Sequence, residues 1–397
     1  MDSLRRGDWL SLERLKAYSL ILIGFYALAL IVWVATAHGL LDWMDRPLGT
    51  DFSEVWVSGN FVNQGHPELP FNNPALFAAE RATFGDKTAI FAWGYPPYFL
   101  GLAAFFALFP YLLALALWQV SSGLVYLAVM RKILPGREMV LAALAFPAVF
   151  VNLTHGHNGF LTAALLAGGL LALDKRPVLA GLLFACLAYK PQYGLLIPLA
   201  LVVGGCWRAF FAAAFGVAAL TLATLAAWGR GPWLAFFDSL TFSRVELLEQ
   251  GNTGFHKMQS IFAAVRLAGG SVSLAYGAQF ALLALVAVTL ALIWRRGDMR
   301  LKSAALLVGS ILATPYCLDY DMMVIAPALG FVVVYGLERG FLPYEKSLLA
   351  FIWLIPLAAR NLAGATLVPF GLISMLLLYG LICRKALWNE QAQPIPV

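Results

Sequence analysis

Long apolar runs separated by short basic links set the pattern of this chain. Apolar segments run near 18–37, 93–109, 110–130, 139–154, 158–173, 177–189, 192–205, 208–228, 272–294, 302–316, 320–337, 346–361 and 364–383. The first is roughly 20 residues, enough to cross a hydrocarbon core of about 30 Å. It is too long for a signal-peptide core and no small-residue cleavage site follows, so it reads as a retained helix. Several later runs are short and punctuated by proline: Tyr95-Pro-Pro-Tyr98 opens one, Pro110 divides two, and Lys190-Pro-Gln192 splits another pair. Such breaks survive at membrane depth only where protein or a water-filled cavity satisfies the freed backbone groups. Two polar stretches interrupt the pattern, 38–92 and 229–271. Within the first, Phe52, Val55, Trp56 and Gly59, then Leu76, Phe77, Glu80 and Arg81, recur at helical spacing, which predicts two short amphipathic helices on the bilayer surface.

Composition agrees with this pattern. With 61% hydrophobic and 12% charged residues and a mean hydropathy of +0.79, the chain reads as an all-α polytopic integral membrane protein, one membrane-embedded domain over 1–397. A net charge of +6 raises the question of nucleic acid, but the bases sit beside apolar runs: Arg5, Arg6, Arg14 and Lys16, then Arg131, Lys132 and Arg137, Lys175 and Arg176, Arg295, Arg296, Arg300 and Lys302, and Arg384 and Lys385. That bias is an orientation signal, so no nucleic-acid partner is expected. It puts residues 1–17 and the tail 385–397 in the cytoplasm, with 391–396 a short disordered end, and both polar stretches on the extracytoplasmic side of a bacterial inner membrane. Two cytoplasmic termini require an even number of crossings, so at least one of the thirteen segments is re-entrant, lies on the surface or fuses with a neighbour. Cys186, Cys206, Cys317 and Cys383 show no paired spacing, which predicts buried free thiols and neither disulfide nor metal site.

Candidate chemistry concentrates where polar residues meet the apolar runs. Asp51 and Glu54 are one helical turn apart just past the first span. Asp51 follows Gly49-Thr50, so it is either the N-cap of the first surface helix, a reactive carboxylate, or both. Lys190 is a lone base at a helix break, suited to a phosphate or to interfacial snorkelling. His155 and His157 flank a turn and make at most two metal ligands, too few for a dedicated site. Asp319 and Asp321, with Tyr316 and Tyr320, lie in a link that faces the same side as Asp51 if the 302–316 run points outward. Arg244, His256 and Lys257 in the second polar stretch could contact phosphate or acceptor but rank low, because loop charges are usually solvated.

In order along the chain stand Asp51, Tyr95-Pro96-Pro97, Gly156-His157-Asn158, Lys190-Pro191-Gln192, and Thr314-Pro315-Tyr316 with Asp319-Tyr320-Asp321. This arrangement, over about 50–340, resembles glycosyltransferase family 87 of the GT-C superfamily. The resemblance implies a GT-C fold with about 12 transmembrane helices, surface helices in the first outer loop and an extracytoplasmic cavity. It implies Asp51 as general base and a polyprenyl-phosphate sugar as donor, with mannose the leading sugar. The acceptor would be an envelope glycolipid or glycan, the other partners membrane lipids, and no cofactor is called for. Glu54, Tyr95, His155, His157, Asn158, Lys190, Gln192, Tyr316, Asp319, Tyr320 and Asp321 become the candidate substrate-binding set. Two features depart from the family pattern: Gly156-His157-Asn158-Gly159 stands where Gly-Gln-x-Asn is expected, and Tyr316, Asp319 and Tyr320 where a histidine is often found.

The residues themselves suit an inverting, metal-independent transfer. A base must take the acceptor proton and a cation must steady the departing phosphate, here Lys190 with the nearby histidines. The alternatives are a transporter or flippase of lipid-linked intermediates, in which Asp51, Lys190, Asp319 and Asp321 carry ions, and a non-catalytic assembly factor. No internal repeat of the transporter kind is visible, because the 38–92 stretch has no counterpart in the second half.

Overall fold

The computed structural model describes residues 2–89 and 91–388, and these are 77% helical with no strand. An all-helical outcome follows from the apolar pattern, since only internal hydrogen bonding satisfies a backbone surrounded by hydrocarbon. The tail expected over 391–396 lies outside the described residues.

Among the described residues, six helices are long and apolar enough to cross a membrane: Leu12–Ala35, Tyr111–Ile133, Trp207–Trp228, Val272–Arg296, Asp319–Arg339 and Phe370–Leu387. Two bent pairs raise the number to eight, Arg137–Leu144 with Pro147–His155 at 45° and Glu345–Leu357 with Ala359–Thr366 at 78°. The thirteen runs read from the sequence therefore do not all become full-length spans. Gly159–Ala172, for example, has 14 residues, and at 1.5 Å per residue such a helix is about 21 Å long, short of a 30 Å core. Proline sets several of the limits, at the starts of Pro97–Phe106, Pro177–Tyr189 and Pro191–Val203.

The spans differ in how much they bury. Only 11% of the Leu12–Ala35 window is covered by protein, against 72% for Asp319–Arg339, so the first helix is peripheral and the later one central. Beside the central helix, Met299–Leu312 is buried along nearly its whole length. Cys317 is buried as expected, but Cys206 and Cys383 are half-buried and Cys186 is exposed, because the Pro177–Cys186 helix turns that face to the periphery; all four thiols are free.

The two helices expected in the first polar stretch form as Thr50–Asn63 and Asn73–Phe84. Of the faces that the spacing picks out, Phe52, Val55, Gly59, Leu76 and Glu80 are buried, Trp56 and Phe77 are half-buried, and Arg81 is exposed. Gly59 is what lets Thr50–Asn63 lie against Leu100–Phe106, since a Cβ there would run into the Ala103 carbonyl. The second polar stretch is more structured than its composition suggests. It contains the helix Gly231–Phe242, a π-helical turn Ser243–Glu249, a 3-10 turn Phe255–Lys257 and the helix Ile261–Leu267. Its Leu248, Met258 and Phe262 make a small apolar cluster with Ala275 and Leu318, which ties the stretch to the bundle.

Ion pairs at sites remote from the two polar stretches lock the helices. Lys385 is held by both carboxylate oxygens of Glu345 at 2.7 and 2.6 Å, and Arg300 makes a two-pronged pair with Glu338 at 2.6 and 2.8 Å.

Candidate active site

Chain breaks assemble the site. Asp51 lies in the first turn of Thr50–Asn63, but it is not the cap: Gly49, in the left-handed region at φ 71°, takes that position without a side-chain bond. The Asp51 carboxyl is therefore free to point into the site. It is partly accessible, receives a weak bond from the Thr50 hydroxyl at 3.4 Å and faces the Tyr320 hydroxyl. Burial among protein groups raises its pKa above the usual carboxylate range. His155, Tyr320 and Lys190 pull it back, and Asp319 adds to the rise. Glu54, one turn on and buried, is pushed well above the usual range by burial and then by Asp51 and Glu80. Glu80 reaches the same region from Asn73–Phe84, where it accepts from the Phe91 N–H at 3.0 Å, and burial pushes it up to about 8. Asp51 is the accessible carboxylate of this group, since Glu54 and Glu80 are buried.

Between Pro147–His155 and Gly159–Ala172 the chain turns through Gly156, at φ 63°, where a Cβ would strike Phe52 of the Asp51 helix. The turn delivers His157 and Asn158 to the interior, 3% and 2% exposed. Asn158 Nδ2 donates to the Tyr95 hydroxyl at 2.8 Å, and that hydroxyl lies 3.4 Å from His157 Nε2. The His157 ring stacks on Tyr320 with 3.6 Å between centroids. Burial, and then Lys190 and His155, hold its pKa well below the ordinary value, so the imidazole is neutral. His157 Nδ1 and Asn158 Oδ1 are buried without a partner among the described residues, which leaves hydrogen-bonding capacity for a polar ligand.

Lys190, expected as a lone or snorkelling base, is neither. It is buried and its Nζ bonds Asp321 Oδ1 at 2.8 Å, with His157 Nε2 at 3.4 Å and the rings of Tyr193 and Tyr320 at 5.4 and 5.8 Å. Asp321 Oδ2 also accepts from the Leu318 N–H at 3.0 Å, which pins the 3-10 turn Asp319–Val324. One helix break therefore neutralises another.

Asp319 lies on the same turn, 3.6 Å from the Arg360 guanidinium. Sequence reasoning does not single out Arg360, although a base near the end of the apolar 346–361 run is an available signal. The sequence places Glu80 on an amphipathic face and gives no sign that it reaches the other acids. Tyr316 is half-buried, bonds Thr253 and feels the charges of Asp51, Glu54 and Asp321. His155 spends Nδ1 on Val151 O of its own helix at 2.8 Å, with its ring 5.7 Å from that of Tyr320. Gln192 is half-buried and takes no part in these bonds among the described residues. Of the expected set, Asp51, Glu54, Tyr95, His157, Asn158, Lys190, Tyr316, Asp319, Tyr320 and Asp321 come together, His155 borders them, and Gln192 stays apart.

The arrangement offers an ionisable carboxylate at a helix start, neutral donors and acceptors on Tyr95, His157 and Asn158, and cations beside Asp319 and Asp321. That set can take a proton from a hydroxyl and receive an anion. The family model of glycosyltransferase family 87 matches residues 93–318, more than half of the chain. The match includes Tyr95, His157, Asn158 and Lys190, while Asp51, Asp319, Asp321 and Arg360 lie beyond its ends. No curated protein and no solved structure matches the chain.

Proposed function

The chain belongs to glycosyltransferase family 87, and from that membership we propose that this membrane glycosyltransferase moves a sugar from a polyprenyl-phosphate carrier to an envelope glycolipid or glycan. Mannose is the first sugar to test. In this reading the fold is of GT-C type with about 12 traverses, counting each bent pair and short apolar helix once, in a bacterial inner membrane with the site facing the periplasm or exterior.

The carrying observation is the partly accessible Asp51 carboxylate, fixed at a helix start and aimed at the His157–Tyr320–Lys190–Asp321 group. Asp51 takes the proton of the acceptor hydroxyl as its oxygen attacks the anomeric carbon. The carbon–phosphate oxygen bond breaks on the opposite face, so configuration inverts and the carrier leaves as a phosphate monoester. Tyr95, Asn158 and neutral His157 supply bonds for sugar hydroxyls. A raised pKa suits Asp51 to this task, since a stronger base takes a proton more readily while remaining ionised above its own pKa.

The test supplies purified wild-type and Asp51→Asn protein with radiolabelled polyprenyl-phosphate sugars and a membrane lipid extract in liposomes. Transfer by the wild type and a loss of 100-fold or more in Asp51→Asn is expected, on the order of the usual contribution of a general base. Equal transfer by the variant would overturn the assignment of Asp51. A wild type that only moves the donor lipid between leaflets would overturn the enzyme reading in favour of transport.

A further inference from the structure

The pairing of Lys190 leaves open which cation meets the donor's phosphate. Lys190 is committed to Asp321 at 2.8 Å and buried, so an incoming phosphate would have to compete with a carboxylate at full contact. A second cationic group has no such commitment. Residues 257–260 are clipped to 315–319: Met258 and Leu318 form an antiparallel bridge, the Gln259 N–H donates to Cys317 O at 2.6 Å, and the Ser260 hydroxyl donates to Pro315 O at 2.6 Å. In antiparallel pairing the residue before Met258 faces the residue after Leu318. Lys257 is thereby set against Asp319. The short helix Ala359–Thr366 packs on the same 3-10 turn, Phe255–Lys257, and carries Arg360 to within 3.6 Å of Asp319 from another side.

Two cations therefore stand near one carboxylate. Arg360 is 34% exposed, and its contact with Asp319 is long for a charge-assisted bond, which at full strength is about 2.8 Å. Lys257 is half-buried, and its ammonium makes no hydrogen bond or ion pair among the described residues. Burial and the like charge of Arg360 lower its pKa, while Asp319 and Asp51 raise it, so Lys257 lies within the field of the base. Both groups are short of anionic partners.

We infer that Lys257 and Arg360 form the phosphate-binding clamp of the site, with Asp319 as the counter-ion that holds them together until a lipid-linked phosphate arrives. This rests on the proposed lipid-phosphate donor and reassigns the group that receives it. Lys190 becomes a positioning residue, which holds His157, Tyr320 and the 319–324 turn in place.

Binding of farnesyl phosphate, with farnesol as the uncharged control, tests the clamp by calorimetry on detergent-solubilised full-length protein. Lys257→Gln and Arg360→Gln should each weaken farnesyl phosphate binding by about tenfold or more, which is about 1.4 kcal/mol, and leave farnesol binding unchanged. Arg360→Lys, which keeps the charge, should recover part of the loss and shows that the effect is not misfolding. Arg300→Gln, remote from the site, controls for net charge. If the wild type binds farnesyl phosphate and both Gln variants bind it as tightly, the clamp is wrong while the donor reading stands. If the wild type binds farnesyl phosphate no better than farnesol, the lipid-phosphate reading and the clamp fall together.

Discussion

Lys190 and Asp321 carry the largest energetic consequence of any single pair in the site. Their side chains are 6% and 3% exposed and their charged atoms are 2.8 Å apart. A surface pair contributes about 0–1 kcal/mol, but removing one member of a buried pair leaves the other charge uncompensated and costs about 3–5 kcal/mol. Asp321→Asn is the cleaner perturbation. The amide oxygen can still accept from the Leu318 N–H, now at 3.0 Å, so the 319–324 turn keeps its anchor and only the charge is lost. Lys190→Met removes the other charge and keeps most of the stem volume. Each single variant should lose about 3–5 kcal/mol, whereas the double variant buries no lone charge and should lose at least about 2 kcal/mol less than the sum. Reversible unfolding in mixed micelles, followed over a denaturant titration, gives all three differences. Raising the salt should change them little, because a buried pair is poorly screened. Losses under about 1 kcal/mol for both single variants, with additivity in the double, would refute the reasoning and mean that water reaches the pair.

Other consequences are as direct. Because burial raises the pKa of Asp51, the acid limb of kcat/KM should lie above the ordinary Asp value of about 3.9, with transfer falling as pH drops through the raised pKa; a rate that stays flat down to pH 4 would contradict this. Glu80, pushed up to about 8 in the fold from an ordinary value near 4.3, binds more protons folded than unfolded, so stability should fall as pH rises through that window. Glu80→Gln should flatten the fall, as thermal melts at pH 5, 7 and 9 would show. Gly59→Val should cost about 1–3 kcal/mol or more and reduce transfer, since a side chain there forces the Asp51 helix away from the Ala103 carbonyl; an unchanged melting temperature would show that the two helices do not pack as described.

How far the sequence reveals this molecule depends on what kind of force fixes each feature. The all-helical class and the two short helices of the first polar stretch follow from hydropathy and helical spacing, which are local. The number of crossings is less legible, because the local signal cannot tell a short helix wedged in protein from one that crosses hydrocarbon; the 14-residue Gly159–Ala172 and the break at Ala358 depend on neighbours. Most of the site residues were visible as polar groups at helix breaks. Their partners were not. Lys190 and Asp321 are separated by 131 positions, so nothing near Lys190 in the chain announces that its charge is already spent. Arg360 was missed for the same reason, since its importance comes from Asp319, brought near by a different turn of the chain.

The charges of the site also constrain how the proposed reaction can run. Burial holds Glu54 well above the ordinary carboxylate range, and around it the acidic side chains Asp51, Asp319 and Asp321 face the basic side chains Lys190, Lys257 and Arg360. These three acids and three bases are equal in number. A sugar–phosphate diester adds one negative charge as it binds, which a clamp shared by a single carboxylate can absorb better than a saturated pair can. During transfer Asp51 becomes neutral as it takes the acceptor proton, while the departing phosphate gains a charge as it becomes a monoester. One negative charge is lost at the base and one appears at the leaving group, so the total does not change in a largely buried site where creating net charge is expensive. In the proposed reaction charge moves from Asp51 toward Lys257 and Arg360, and an in-line displacement with inversion requires the base and the clamp to lie on opposite sides of the reacting carbon.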